Sequence, residues 1–162
     1  ERALDHGIWS PLSLFWPQAD VPLIPISVPT RTSTPAQLEI AAALGRWAQQ
    51  NDFMLIGSGA ATHNLGDRHF VHDAPDAWAR RFHDWVIDIA ARGDLKAMQD
   101  WQAAAPYARY AHPTPEHFLP LLMCLGAMEG QPLRALHESF MYGNLSMLAL
   151  GSDVTISANS RP

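Results

Sequence analysis

The chain has one cysteine, Cys124, so no disulfide can form within it. Cys124 sits in the apolar run Leu121-Leu122-Met123-Cys124-Leu125, which marks a buried, inert thiol rather than a nucleophile. Charge is scarce too. Only 17% of the 162 residues are charged while 48% are hydrophobic, which excludes wholesale disorder and allows one domain with a sizeable core. The net charge of −5 and a single basic doublet, Arg80-Arg81, exclude a general nucleic-acid binder, which needs a basic face. No apolar run is long enough to span a bilayer and no signal-peptide pattern is present, so the reading is a cytoplasmic protein without a membrane partner. Familiar catalytic signatures are missing as well. Gly57-Ser58-Gly59 lacks the Lys and Ser/Thr of a phosphate loop and does not match Gly-x-Ser-x-Gly, and no His-Glu-x-x-His occurs. There is no initiator Met. His6 would lie in a fraying terminus, and a preceding segment is therefore expected.

What is present is an alternation of helical and extended patterns. Residues 8–17 read as a short apolar helix stopped near Pro17. Residues 21–28 read as a strand, pushed toward an edge or a bulge by Pro22 and Pro25. A helix opens at Pro35 and ends near Asn51, and Phe53-Met54-Leu55-Ile56 reads as a short buried strand. A small-residue loop follows from Gly57 to Leu65, then a polar loop over 66–74. Pro75 begins an amphipathic helix carrying Trp78, Phe82, Trp85 and Ile89 on one face, with Gly93 as its stop. Residues 94–103 suggest a second short helix and 104–113 an irregular loop. Thr114 reads as an N-cap with Pro115 at the first helical position, for a helix running to about Gly126. Strands over 132–140 and 145–150 would be joined near Gly143-Asn144, and the tail over 152–162 is polar. This order predicts an α/β fold with a mixed sheet flanked by helices, as one domain over residues 1–151. In such sheets sites gather at the C-terminal ends of strands, where the Gly57–Leu65 loop emerges.

The chemistry-bearing residues are histidines, eight in all. His117 would fall in the first turn of the Thr114-capped helix, where the positive helix end keeps the ring neutral and ready for a metal ion. His112 and His117 could both be ligands, although one ligand and one bystander is favoured; Glu116 is a weaker candidate. His63 follows a run of small residues that leave its ring uncrowded, and it reads either as a general acid/base or as a loop cap. His6, in Asp5-His6-Gly7, reads alone as a turn histidine. His69, His72, His83 and His137 read as structural or solvated. His69 and His72 resemble a metal clip, but with no third ligand at a suitable spacing.

Taken in order, three motifs carry a resemblance. Leu4-Asp5-His6-Gly7 with Trp9 and Pro11-Leu12, then Gly57-Ser58-Gly59 through His63-Asn64-Leu65, then His112 through His117 with Leu119-Pro120-Leu121, resemble the class III extradiol ring-cleavage dioxygenases. The branch is that of the 4,5-DOPA dioxygenases, related to the catalytic subunit of protocatechuate 4,5-dioxygenase. Gly143 to Met147 is similar to the branch's closing strand. The resemblance implies an α/β sandwich, of which this chain would be the C-terminal portion. It implies one non-haem Fe(II), or Zn(II), and a catechol-type substrate opened with O2. By the same resemblance His117 matches the third metal ligand, His63 the acid/base histidine, His6 a second catalytic histidine and His112 a substrate-facing position. The other two metal ligands would belong to an N-terminal region that this chain lacks, so association with such a segment, or a homo-oligomer, is expected. The alternatives are a zinc-dependent enzyme of the same fold, or an inactive binding or assembly fragment.

Overall fold

A computed structural model describes residues 4–69 and 74–152. Seven α-helices, one 3-10 turn (Leu65–Asp67) and four short strands are formed among them. Helix α1 (His6–Phe15) is capped by Asp5, whose Oδ1 accepts from the Gly7 N–H at 2.8 Å. It starts two residues earlier than the apolar pattern suggested, and none of its residues is buried. Segment 21–28 forms no strand and pairs in no ladder among the described residues, and neither does 53–56. Both lack the neighbouring strand that would turn an extended run into a sheet strand.

Helix α2 (Thr34–Gln50) packs on α7 (Leu119–Ala127) through small residues. A side chain at Gly45 would run into the Ala127 carbonyl, and one at Gly126 would come within 2.8 Å of the Ala41 Cβ. Helix α3 (Ala77–Arg92) follows its predicted face: Phe82, Val86 and Ile89 are buried, Trp78 and Trp85 border the core, and Gly93 ends it at φ 60°. Three short helices follow, α4 (Leu95–Gln99), α5 (Trp101–Ala104) and α6 (Ala108–Ala111). The core fills the space between α3, these helices and α7, around Phe82, Met98, Trp101, Phe118, Leu122 and Leu125.

The Thr114 cap does not form. The Thr114 hydroxyl donates to Glu116 Oε1 at 2.6 Å, residues 113–118 turn, and α7 starts at Leu119 with Pro120 in its first turn. His117 therefore lies on the turn before the helix, not within it.

The predicted C-terminal strand pair exists but is split. β1 (Arg134–His137) pairs antiparallel with β4 (Ala149–Gly151), with a bulge after Ala135, and β2 (Phe140–Met141) pairs antiparallel with β3 (Leu145–Ser146). Tyr142 and Gly143 both take positive φ, as a tight hairpin turn requires. Helices with small antiparallel ladders give an α/β arrangement.

Candidate active site

The Gly57–His63 segment is held from three sides. The Ala60 N–H donates to the His117 carbonyl at 2.8 Å, and the His63 N–H to the Ala111 carbonyl at 2.9 Å. A side chain at Gly59 would strike the His117 carbonyl, so the small residues are what allow this approach. On the third side, the Thr62 hydroxyl donates to the Asn144 carbonyl at 2.6 Å and accepts from the Ser146 N–H at 2.7 Å. The result is a fixed loop between α6, the 113–118 turn and β3.

On that loop the His63 ring stacks on His117, centroids 3.5 Å apart and planes within 12°. The His63 pKa is lowered, first by burial and then by the neighbouring His117, against a smaller opposing pull from Glu116. Nδ1 of His117 is shielded from solvent and makes no hydrogen bond, although Glu116 Oε1 stands 3.5 Å away. A cavity of about 210 Å³ opens beside the pair, lined in part by Gly59, Thr62, His63, Leu145 and Ser146.

The other two expected residues are placed differently. His112 does not face the open cleft. It is 4% exposed, its Nε2 bonds the Ala61 carbonyl at 2.8 Å, and it is walled in by Phe82, Trp101 and Phe118. Burial pushes its pKa down to about 4, outweighing the bond to Ala61. His6 stands at the start of α1, its side chain 81% exposed and 3.3 Å from Asp5. The start of α1 lies near the glycine loop, since a side chain at Gly7 would come within 3.6 Å of Ser58 Oγ.

Of the histidines read as structural or solvated, His83 is structural, while His69 has more around it than its spacing suggested. His83 is fully buried on α3, with Nδ1 at 2.8 Å from Ser146 Oγ and Nε2 at 3.2 Å from Glu138 Oε2. Its place at the edge of the apolar stripe of α3, beside Phe82, was the available signal. His69 does have further ligating groups near it, Asp67 and Asp76, while His72 lies outside the described residues. His137 is exposed, as expected.

A metal ion is implied by the resemblance. The orphaned, neutral-capable imidazole nitrogen of His117 fits one ligand of an iron or zinc site. A mononuclear site takes about three protein ligands. His117 would thus be one member of a donor set, not the whole of it.

Comparison with known proteins decides the family. Residues 1–151 match the family described as the catalytic LigB subunit of aromatic ring-opening dioxygenase. The chain belongs to this family. The 4,5-DOPA dioxygenase extradiol of Beta vulgaris is 33% identical over 147 residues, covering 90% of this chain and 54% of that protein. The enzyme of the same name from Escherichia coli is 33% identical over 159 residues, covering 90% and 55%. The crystal structure of an uncharacterized protein from Escherichia coli superposes with a TM-score of 0.78 at 29% identity, covering 93% of this chain and 63% of that one. The chain thus spans about half the length of the curated relatives it matches. No helix among the described residues is long and apolar enough to cross a membrane.

Proposed function

We propose that this chain is the acid/base and third-ligand part of an extradiol dioxygenase that opens the ring of a catechol-type substrate with O2. The stacked His63–His117 pair, with His63 lining the cavity, carries this reading. The metal would be Fe(II), with Zn(II) as the alternative; when bound it supplies the Lewis acidity and, for iron, the redox capacity that dioxygen chemistry needs. His117 would hold it through its unpartnered Nδ1.

His63 does the proton work. Its lowered pKa leaves the ring neutral near pH 7, so a ring nitrogen can accept the proton leaving a catechol hydroxyl and later return it to an oxygen of the opened product. The tight loop behind it fixes the ring, so no reorganisation is required at the moment of transfer. His6, on the neighbouring α1, would assist the first deprotonation. His112 shapes the site by holding Ala61 from behind. The two remaining ligands would come from polypeptide corresponding to the other half of the relatives, and the exposed extended segments 21–28 and 53–56 offer it edges to pair with.

The test uses the protein extended upstream to the length of its relatives. His63→Ala should lower catechol-dependent oxygen uptake by about 10²–10⁴-fold with metal content retained. His117→Ala should lose the metal that supports turnover. Equal loss of that metal in the two variants would reassign both roles. Residues 1–162 alone should turn over no catechol; catechol-dependent oxygen uptake there would move the ligands of the ring-opening site onto residues of this chain.

A further inference from the structure

The polar loop after the His63 segment ends in a group of side chains that the ring-opening chemistry does not use. Asp67, His69 and Asp76 each present one ligating atom, and the three atoms lie within 4.8 Å of one another. We propose that they form a second metal site, for a first-row divalent cation such as Zn(II), separate from the stacked histidine pair and independent of the ring-opening reading.

The geometry is that of ligands around a shared centre. His69 Nε2 stands 3.4 Å from Asp76 Oδ2 and 3.9 Å from Asp67 Oδ1. A direct N–H···O bond would draw such a pair in to about 2.9 Å. Bonds of about 2.0–2.2 Å to a tetrahedral ion instead set ligand atoms roughly 3.3–3.6 Å apart; the His69–Asp76 separation lies in that range, and Asp67 would move inward on binding. Asp76 adds an independent sign. It occupies the N-cap position of α3, yet its side chain makes no capping bond, and its Oδ2 is shielded from solvent with no hydrogen-bond partner. A carboxylate that forgoes the cap gives up the helix stabilisation a capping bond brings. Here it is turned toward His69, and a cation is what would satisfy its buried oxygen.

Groups outside the triad hold it in place. The Trp78 indole N–H donates to Asp67 Oδ2 at 3.2 Å, and the Tyr110 hydroxyl bonds the same carboxylate, which raises the Tyr110 pKa. These donors orient the carboxylate and leave Oδ1 toward His69, as outer-shell partners do in metal sites. The backbone is anchored at one turn: the His69 N–H donates to the Tyr142 carbonyl and the Asp76 N–H to the Gly143 carbonyl. Gly143 keeps the space open, since a side chain there would stand 3.3 Å from the His69 ring and 3.7 Å from Asp76 Oδ2. Two carboxylates and one imidazole suit zinc or manganese, and the partly exposed side chains leave positions for water. A bound ion would clamp the loop after His63 to the start of α3.

The experiment titrates metal-free protein with Zn(II) by calorimetry and with Co(II) by visible absorption. We expect one equivalent to bind in the His117→Ala variant, with His69→Gln weakening it at least about tenfold. Trp78→Phe, which keeps an aromatic side chain but removes the N–H donor, should weaken it about 10–100-fold if Trp78 orients Asp67. Circular dichroism unchanged in these variants would show that folding is not the cause. The proposal is overturned if no saturable uptake occurs below about 1 mM, if His69→Gln binds as tightly as the parent, or if His117→Ala abolishes the signal.

Discussion

Residues 4–28 and helix α3 are about equally rich in apolar side chains, yet they fare oppositely. No residue from 4 to 28 is buried, and Leu14, Phe15 and Ile24 stand 84%, 67% and 52% exposed. In α3 six residues are buried, Phe82 and Val86 completely. The difference is not in the sequence pattern, since α1 is if anything the more hydrophobic. It lies in what packs against each face. Helix α3 meets α6, the short α4 and the β1 and β3 strands, while α1 packs extensively on no other helix or strand among the described residues. Hydrophobicity drives burial only where there is a partner surface.

The largest test of that contrast is to supply the missing cover. In residues 1–162 alone, amides of 21–28 and 53–56 should exchange with solvent within seconds while those of α3 are protected. In the protein extended to the length of its relatives the extended segments should gain protection by orders of magnitude. Hydrogen exchange followed by mass spectrometry reads both. Protection of 21–28 equal to that of α3 in the short chain would break the comparison. Substitution gives the next effect. Phe82→Ala should cost about 3–5 kcal/mol in denaturant unfolding. Leu14→Ala in the same chain should stay within about 0.5 kcal/mol. In the extended protein the Leu14→Ala cost should rise if α1 becomes covered.

The same contrast explains what the sequence made legible. Helices α2 and α3 were readable because their apolar spacing and end signals agree with the packing they receive. The His63 segment was readable because its small residues are a direct requirement of the close approach to His117. Strands at 21–28 and 53–56 were not realised, because strand formation depends on a neighbour and not on the segment itself. The Thr114 cap failed because the helix it was to open starts only at Leu119, after the 113–118 turn. His83, His112 and the Asp67–His69–Asp76 group depend on contacts between residues far apart in the chain or across turns. A histidine reads the same in sequence whether it is bathed in water or enclosed by rings.

The smallest expected effect sharpens the inner half of the comparison through pH. His112 is held neutral by burial, with a pKa near 4 in the folded chain against 6.5 in the unfolded one. Between those values the unfolded state binds the proton that the folded state refuses, so stability is retained above pH 6.5 and lost as the pH falls toward 4. A gap of this size corresponds to at most about 3 kcal/mol. His63, lowered in the same direction, adds a contribution of the same sign. Carboxylates also titrate in this range, so the informative quantity is the difference between the parent and His112→Gln, whose amide can still donate to the Ala61 carbonyl. Urea unfolding at intervals from pH 7 to pH 4 should show a shallower loss in His112→Gln than in the parent. Parallel curves would mean that His112 is not held neutral, and that the aromatic wall around it is open to water.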